Sequence, residues 1–314
     1  MRPVLYVVVP CYNEQEVLPE TSKRLKAKMT ALIGAGRIDE KSRVMLTNDG
    51  SRDRTWEMIE ELHASDPLFL GVKLSRNRGH QNALLAGLMT AMEDADVTIS
   101  MDADLQDDID AMDRFLDEFE KGSDVVYGVR SERKTDTAFK RMTAEGFYKL
   151  MKALGVDIVF NHADYRLLSR RALEGLAQFH EVNLFLRGMV PLVGFKSSTV
   201  MYERHERFAG KSKYPLKKML AFAFDGITSL SIKPIRLILG LGVIIFILSL
   251  VMLLYALISK WTGRADTGWT SILASIWMIG GIQLLCLGVI GEYIGKIYSE
   301  TKQRPRYIIE KILK

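Results

Sequence analysis

The segment Val97–Asp104 reads VTISMDAD and joins an apolar, β-branched run to two closely spaced carboxylates. The run from Val97 to Met101 has the composition of a buried strand, and Asp102 and Asp104 follow it directly. Carboxylates this close together are unfavourable unless a cation neutralises them, and oxygen ligands suit Mg²⁺ or Mn²⁺. A D-x-D pair alone more often marks a solvated turn or a helix start. Its position after a strand strengthens the interpretation as a metal site.

Four further runs have the same strand-like composition: Val4–Val9, Arg43–Thr47, Gly71–Leu74 and Asp124–Val129. Stretches with apolar residues at helical spacing, such as Glu16–Leu32 and Ala83–Met92, lie between them. This alternation predicts an α/β domain with a mainly parallel sheet flanked by helices. Ligands of such sheets bind beyond the carboxyl ends of the strands, so the residues that follow each strand are the candidates for a site.

The residues that follow the other predicted strands are nearly all polar. They are Pro10–Glu14, Asn48–Ser51 and Arg76–Asn77. No G-x-G-x-x-G motif follows the first strand, and His205 stands where a P-loop ending in Lys211 and Ser212 needs its first glycine. These absences disfavour a dinucleotide-binding dehydrogenase and a P-loop ATPase.

The chain of 314 residues is 48% hydrophobic and 26% charged, a globular composition that excludes a disordered or collagen-like protein. Its length suits two domains, or one large domain with an appendage. The whole chain is +5, and residues 200–314 carry nine more basic than acidic side chains, so residues 1–199 have a net charge of −4. Because the basic residues flank two long uncharged runs, they indicate an anionic membrane surface rather than nucleic acid.

The uncharged runs are Leu237–Ile258 and Trp269–Ile290. At ~1.5 Å per residue each would form a helix of about 33 Å, enough to cross a hydrocarbon core of ~30 Å. We therefore predict a two-helix transmembrane hairpin over residues 237–290, since the alternative of buried core helices rarely stays uncharged for so long. Basic residues on both outer flanks place those flanks in the cytoplasm and the connector outside.

The segments around the hairpin complete the predicted domain organisation. The chain begins almost directly on a strand-like run without the pattern of a signal peptide, so residues 1–214 are predicted to form a cytoplasmic domain. Residues 215–236 are apolar apart from such interruptions as Lys217 and Lys218, which predicts interfacial amphipathic helices, with a linker helix packed on the domain as the alternative. Residues 291–314 are predicted to be a cytoplasmic C-terminal tail.

A series of motifs runs through nearly the whole chain in an order and spacing that resemble one known family. They are Val8–Glu14, Asn48–Ser51, Ser75–Gln81, Met101–Gln106, Tyr127–Arg130, Ala163–Leu167, and Arg204 through Arg207 to Gly210–Tyr214. Together they resemble inverting glycosyltransferases of family 2 with the GT-A fold, specifically the polyprenyl-phosphate glycosyltransferases akin to bactoprenol glucosyltransferase and dolichyl-phosphate mannose synthase. The two C-terminal spans complete the bactoprenol-type pattern.

The resemblance implies a donor-nucleotide site that holds the base and the ribose. Its residues are Pro10, Tyr12, Glu14 and Asp49. Their chemistry permits this role, since a carboxylate accepts from the imide N–H of uracil and a tyrosine offers a stacking face. The alternative is a local structural role, because Asp49-Gly50 is a good turn and Asn13 could cap the helix that follows.

The resemblance also implies a site for the donor's diphosphate. Its metal ligands are Asp102, Asp104 and, as a further candidate, Gln106, which would hold Mg²⁺ or Mn²⁺. Asp102 therefore also counts as a donor-binding residue. Arg130, after the fifth strand, would add a planar cation to the same leaving group, with a plain surface arginine as the alternative.

The catalytic carboxylate facing the acceptor is assigned by the resemblance to Asp164. A lipid phosphate has a second pKa near ~6 and is largely ionised at neutral pH, so it needs little deprotonation. Asp164 is therefore a candidate for orienting the acceptor or for stabilising positive charge on the sugar, more than for accepting a proton. A helix N-cap before Leu167–Leu176 is the structural alternative.

A cationic cluster precedes the predicted interfacial helices. It consists of Arg204, Arg207, Lys211 and Lys213. At the membrane surface this cluster would bind the acceptor phosphate or the donor diphosphate, and a mobile loop could close over both. Generic attraction to anionic lipid is the alternative.

These features predict a metal-dependent membrane glycosyltransferase that moves a sugar from a UDP-sugar to polyprenyl (undecaprenyl) phosphate with inversion. Glucose is the first candidate for the sugar, and N-acetylhexosamines, mannose and an aminoarabinose derivative are the alternatives. The predicted location is the bacterial inner (plasma) membrane, multi-pass, with the catalytic domain in the cytoplasm. A processive polysaccharide synthase would have more spans and a Q-x-x-R-W motif, and a non-catalytic sugar-binding subunit would lose the paired carboxylates. Gly280 and Gly281 in the second span allow a homo-oligomer, and no nucleic-acid partner is expected.

Overall fold

The computed structural model describes residues 2–131, 162–203, 228, 231, 233–261 and 268–314. These residues belong to two compact units. The first unit comprises the described residues up to 203 together with 304–314, and the second comprises those from 228 to 303.

The first unit alternates strands and helices along the chain. Its described elements are β1 (Leu5–Cys11), α1 (Leu18–Gly34), β2 (Arg43–Asn48), α2 (Thr55–Ser65), β3 (Phe69–Leu74), α3 (His80–Ala91), β4 (Val97–Ser100), α4 (Ala111–Glu120), β5 (Val125–Arg130), β6 (His162–Ser169), α5 (Arg170–Ala177), α6 (Leu186–Leu192), β7 (Ser197–Tyr202) and β8 (Ile309–Leu313). The five strands predicted from the sequence are present as β1 to β5.

The eight strands form one sheet in the order β7-β5-β6-β4-β1-β2-β3-β8. Neighbouring strands pair in parallel except at β6, which is antiparallel to β4 and β5, and at β8, which is antiparallel to β3. The prediction of a mainly parallel α/β sheet flanked by helices is therefore confirmed.

Helices cover both faces of this sheet, which explains why β1 is buried at every position. Leu5, Val7 and Val9 pack on one face with apolar side chains of α1, α2 and α4. Tyr6 and Val8 pack on the other face with α3, α5 and α6. Burial of alternate residues on opposite faces fixes the register of the strand, because a slip of one residue would exchange the two sets.

Strand β6 runs against its neighbours, and this reversal brings its amino end to the edge of the sheet where β4 and β5 end. Ser100 of β4 pairs with Arg166, so residues 162–165 extend beside the segment that follows β4. The hydroxyl of Ser100 also donates to the carbonyl oxygen of Asp164 at 2.6 Å. Asp164 thus lies in a strand, and its alternative interpretation as a helix cap is wrong, because Ser169 caps the helix that follows.

The last strand, β8, is formed by the C-terminal residues and lies at the edge next to β3. Its register pairs Leu313 with Gly71, and Lys73 Nζ lies 2.8 Å from Glu310 Oε1. The segment 291–314, predicted simply as a tail, therefore ends in a strand of the first unit. Strand β8 thus covers β3 and becomes the outermost strand on this side of the sheet.

The second unit contains two long helices within its described residues, α7 (Lys233–Trp261) and α8 (Trp269–Thr301). They include the two runs predicted to cross a membrane. Among the described residues, one segment, Met278–Thr301, is long and apolar enough for a membrane span by length and composition. The two-span hairpin accordingly stays a prediction, and most of the predicted interfacial segment 215–236 lies outside the described residues.

We expect Gly71→Ala to destabilise the first unit, because a Cβ atom there would lie 2.9 Å from Ile59 Cγ2 and from Leu313 Cδ1. Overpacking of this kind costs about 1–3 kcal/mol. Gly34→Ala is the matched control: a Cβ at the end of α1 meets nothing within 4 Å, so thermal stability should be unchanged or slightly higher. Thermal unfolding in detergent compares the two variants.

The contact between β3 and β8 predicts a specific non-additivity. Leu313→Ala makes room for the new methyl group, so the double variant with Gly71→Ala should lose less stability than the two single variants together. Simple additivity would mean that the C-terminal strand does not pack on Gly71.

Candidate active site

The polar residues that follow the strands lie together at one end of the sheet, where the parallel strands have their carboxyl ends. Strands β1, β2, β4, β5 and β7 end there, and the antiparallel β6 begins there. Asp102 and Asp104 follow β4, Arg130 ends β5, and Asp164 lies near the start of β6. Residues far apart in the sequence therefore meet where ligands of parallel sheets bind.

The Asp164 carboxylate is surrounded by three basic side chains. Arg166 Nη2 lies 2.6 Å from Oδ1, and Arg187 donates from Nε and Nη2 to Oδ1 and Oδ2, both at 3.2 Å. His80 Nε2 lies 3.6 Å from Oδ2. Burial by itself would raise the pKa of Asp164, but the three basic groups hold that pKa well below its usual range. Asp164 is therefore an ionised carboxylate of low basicity, poorly suited to accepting a proton.

Arg166 fixes this carboxylate in place. It is 1% exposed and lies on the same face of β6 as Asp164, since alternate residues of a strand share a face. Its Nη1 donates to the carbonyl oxygen of Leu186 at 3.3 Å, at the start of α6. A buried guanidinium is costly without a negative partner, so Asp164 also stabilises the fold. Arg187, the other arginine of the cluster, was not predicted, because it lies on α6 outside every motif.

The loop before α3 is held by Asp49. The carboxylate Oδ1 accepts from the backbone N–H of Arg78 at 2.7 Å, and Oδ2 accepts from that of Gly79 at 2.9 Å. Burial raises the pKa of Asp49, and the two backbone N–H groups act in the opposite direction. Gly79 has a φ of +88°, a left-handed conformation that favours glycine. The structural role of Asp49 is thus to shape this loop, while its contact with a nucleotide stays a prediction.

His80, the first residue of α3, lies between the two groups of carboxylates. Its Nε2 is 3.5 Å from Asp102 Oδ1 and 3.6 Å from Asp164 Oδ2. Burial would lower the pKa of His80, but these two carboxylates raise it to about 9. The residue was missed as a site residue, although it stands in the motif Ser75–Gln81, because no local spacing connects it to either aspartate.

The paired carboxylates fit a divalent cation in their chemistry. The Asp102 side chain is 34% exposed, and Asp104 Oδ1 accepts from the backbone N–H of Gln106 at 3.2 Å. Within the part of the chain that the structure describes, no group of three or more Asp, Glu, His or Cys residues is arranged to hold a metal. A cation here would therefore take its remaining ligands from Gln106, water or the donor's phosphates.

A network of hydrogen bonds near the paired carboxylates joins Tyr202 to Asp107 and Arg130. Tyr202, at the end of β7, donates to Asp107 Oδ1 at 2.5 Å, and Arg130 Nε donates to the Tyr202 hydroxyl at 3.2 Å. Burial first, and then the charge of Asp102, raises the pKa of Asp107 to about 6. Arg130 is thus held at the site by its neighbours, rather than projecting as a surface arginine. Asp107 and Tyr202 were not predicted, and only the run of carboxylates after Asp102 pointed to the former.

The loops after β1 and β2 are tied to each other. Asn13 has a left-handed backbone (φ 54°), and its Oδ1 accepts from the backbone N–H of Arg52 at 2.9 Å. The backbone N–H of Glu14 donates to Thr55 Oγ1 at 2.9 Å. Asn13 therefore braces the neighbouring loop, and its interpretation as a helix cap is wrong. Tyr12 is half-exposed beside these contacts.

The cationic cluster predicted for the acceptor lies outside the described residues, which end before it at position 203 and resume beyond it. Its members are Arg204, Arg207, Lys211 and Lys213. Pro10 is buried as part of β1 and borders the loop that carries Tyr12.

Two protein families match this chain. The family described as Glycosyl transferase family 2 matches residues 6–176, and the one described as GtrB C-terminal hairpin matches residues 233–297. The first match includes Asp102, Asp104 and Asp164, and the second includes most of α7 and α8.

Similar proteins extend the likeness to nearly the full length. The chain is 53% identical over 309 residues to "Uncharacterized glycosyltransferase YkoT" of Bacillus subtilis (strain 168), which covers 98% of this chain and 92% of that protein. It is 39% identical over 313 residues to "Prophage bactoprenol glucosyl transferase homolog" of Escherichia coli (strain K12), covering 98% and 99%. Among solved structures, the mannosyltransferase PcManGT from Pyrobaculum calidifontis in complex with GDP-Man and Mn²⁺ matches with a TM-score of 0.47 at 15% identity, covering 84% of each chain. This structural match is too distant to bear on ligands.

We expect Asp164→Asn to destabilise the protein strongly, because it leaves the buried Arg166 guanidinium without a full negative partner. Breaking a buried ion pair in this way costs about 3–5 kcal/mol. Asp117→Asn is the matched control, since it removes a more exposed contact with Arg37 and should cost less than about 1 kcal/mol. Similar small shifts in thermal unfolding for both variants would contradict the role of the buried pair.

The lowered pKa of Asp164 determines how the stability difference between the unaltered protein and Asp164→Asn changes with pH. Because the pKa of Asp164 is lower in the folded protein than in the unfolded chain, its stabilisation is complete above the unfolded value of ~3.9 and is lost as the pH falls through the folded value. The stability gap between the unaltered protein and Asp164→Asn should stay constant from about pH 7 to 5 and shrink below about pH 4. A gap that widens on acidification would show that the carboxylate is not held in its ionised form.

Proposed function

The chain belongs to glycosyl transferase family 2, and we propose that it transfers a sugar, glucose in the first place, from a UDP-sugar to a polyprenyl phosphate such as undecaprenyl phosphate. The configuration at the anomeric carbon is inverted. The observation that carries the proposal is the position of an ionised Asp164, clamped by basic side chains, next to the paired carboxylates after β4.

The relatives support both the sugar and the acceptor. Proteins named as bactoprenol glucosyl transferases or a homolog are 38–39% identical to this chain and match at least 97% of it. The match to the GtrB C-terminal hairpin extends this likeness beyond the catalytic unit. A likeness over both parts favours a lipid acceptor rather than a soluble one.

On the donor side, the sheet edge supplies charge of both signs for a nucleotide diphosphate. The proposed metal ligands are Asp102, Asp104 and Gln106, and Mg²⁺ and Mn²⁺ both suit such oxygen ligands. When bound, the cation supplies positive charge for the departing diphosphate. Arg130 adds a second, planar cation to the same group, and its contact with Tyr202 orients it.

The nucleoside part of the donor is proposed to lie against the loops after β1 and β2. The residues assigned to it are Pro10, Tyr12, Glu14 and Asp49. The half-exposed Tyr12 ring offers a stacking surface there. The ties between the two loops would keep this surface in place before the donor binds.

On the acceptor side, the phosphate itself provides the nucleophile. A phosphate monoester is already largely ionised at neutral pH, so its oxygen can attack the anomeric carbon while the bond to the diphosphate breaks. The low pKa of Asp164 agrees with this, because the mechanism does not require it to accept a proton. We assign Asp164 to orienting the reactants and to stabilising positive charge that develops on the sugar.

The position of β8 supports a hairpin in the membrane. The chain leaves the first unit between residues 203 and 228 and rejoins it at 304, from where it continues into β8 of the same sheet. A chain that starts and ends on one side of a membrane crosses it an even number of times. If Met278–Thr301 spans the membrane, a second crossing must lie before it, and α7 is a long apolar helix in that interval. We propose that α7 and α8 are the two spans of a multi-pass inner-membrane protein whose first unit is cytoplasmic.

The basic residues between β7 and α7 are the proposed site for the acceptor phosphate or the donor diphosphate. They are Arg204, Arg207, Lys211 and Lys213. Charge-assisted bonds from such side chains hold phosphates well. Gly280 and Gly281 on α8 would allow two copies to associate through this helix.

A transfer assay tests the proposed function. The purified protein is reconstituted in liposomes containing undecaprenyl phosphate and given UDP-glucose, UDP-N-acetylglucosamine or GDP-mannose in turn. We expect a lipid-phosphate glucose product of inverted configuration with UDP-glucose. Transfer that needs no lipid phosphate and builds a polysaccharide would instead indicate a processive synthase, and absence of transfer with every donor would contradict the proposal.

The metal proposal has its own test. Asp104→Asn should lower turnover by about 100-fold or more, because it removes one of the two carboxylates proposed to hold the cation that neutralises the diphosphate. Asp94→Asn, before β4 at the opposite end of that strand, is the matched control and should retain normal turnover. EDTA should abolish activity of the unaltered enzyme, and added Mg²⁺ or Mn²⁺ should restore it. Full activity in EDTA would remove the metal from the mechanism.

A further inference from the structure

His80 occupies the space between the carboxylate of the donor side and that of the acceptor side. The two contacts of its Nε2 atom place Asp102 Oδ1 and Asp164 Oδ2 within about 7 Å of each other. Two carboxylates at this spacing repel unless a donor or cation lies between them. The His80 side chain is 39% exposed, so it also borders the space that the reactants would enter.

The surroundings of His80 hold it in this position. Asp49 accepts from the backbone N–H groups of Arg78 and Gly79, and the left-handed conformation of Gly79 turns the chain into α3. His80 is thus the first residue of a helix whose start is fixed by a buried carboxylate, since Asp49 is only 2% exposed. The imidazole is carried by a rigid element rather than by a free loop.

The first turn of α3 also contacts the opposite side of the site. Gln81 Oε1 accepts from the backbone N–H of Leu186 at 2.8 Å, which joins α3 to the start of α6. The next residue of α6, Arg187, makes the bidentate contact with Asp164. Asp164 is therefore contacted from α6 by Arg187 and from α3 by His80, and the two helices are hydrogen-bonded to each other. His80 also contacts Asp102.

We propose that His80 is a positioning residue of the transfer reaction: by lying between Asp102 and Asp164 it sets the spacing between the donor-side carboxylate and the carboxylate of the acceptor side. This inference rests on the proposed function. An N–H group at Nε2 is sufficient for this role, so the proposal does not make His80 a ligand of the cation. A misplacement of about 1 Å between reacting groups is enough to slow a reaction about 100-fold.

The test compares His80→Ala with His80→Gln, whose side-chain amide keeps an N–H donor near the Nε2 position. His80→Ala should lower kcat about 100-fold, while KM for UDP-glucose and for the lipid acceptor stays within about threefold. His80→Gln should recover most of kcat. His180→Gln is the matched control on an exposed histidine and should behave as the unaltered enzyme.

Two further measurements separate positioning from other roles. Calorimetry with UDP and Mn²⁺ should give dissociation constants within about threefold for all variants, because His80 is not a ligand. Thermal unfolding of His80→Ala, Asp164→Asn and the double variant should be non-additive, which tests the bridge without any turnover.

The outcomes distinguish this inference from the proposed function. A His80→Ala enzyme with normal kcat, a His80→Gln enzyme as slow as His80→Ala, or loss of Mn²⁺–UDP binding in His80→Ala would each overturn the positioning role. If the unaltered protein transfers no sugar, the proposed function fails, and additive unfolding shifts would then overturn the bridge by themselves. Non-additive shifts in thermal unfolding, together with recovery of kcat in His80→Gln, support the positioning role of His80.

Discussion

The buried ion pair between Asp164 and Arg166 is the interaction on which the arrangement of the site depends. Arg166 is buried in the sheet, where a guanidinium is costly without a negative partner, and Asp164 is that partner on the same face of β6. Arg187, His80 and Arg166 together hold this buried carboxylate in its ionised form, with a pKa well below its usual range. The reaction then has to draw its nucleophile from an acceptor that is already ionised, which a phosphate is at neutral pH.

The site is divided into two regions of opposite character. Around Asp164 the basic side chains exceed the single carboxylate. After β4 several carboxylates lie together, and burial and then the charge of Asp102 raise the pKa of Asp107. The first arrangement suits an anionic acceptor, and the second suits a cation that carries an anionic leaving group. His80 stands at the boundary and contacts a carboxylate of each region. A sugar passing from one side to the other would cross this boundary.

The C-terminal strand connects the chain after α8 to the sheet of the first unit. Strand β8 pairs with β3 at the sheet edge, and the side chain of Leu313 packs against Gly71. In chain order, the long helices α7 and α8 therefore lie between two segments that belong to the same sheet.

Much of this protein could be predicted from its sequence, because the relevant signals are local. The apolar runs of β1 to β5, the polar residues after them, the paired carboxylates after Ser100 and the placement of Asp164 in a motif are all recorded in short stretches of chain. Two parts could not be read in this way. The antiparallel β6 and the C-terminal β8 were not predicted, since their pairing depends on which sheet edges remain to be covered once the other strands are in place.

The basic residues that contact Asp164 also could not be predicted from the sequence, because their contacts depend on the tertiary structure. Arg166 is two residues away, yet its burial follows from the packing of β6 between β4 and β5. His80 and Arg187 come from α3 and α6, and no spacing along the chain connects them to one carboxylate. The sequence therefore showed which residue types the site contains. The pKa of Asp164, in contrast, depends on the three basic groups that folding brings around this buried charge.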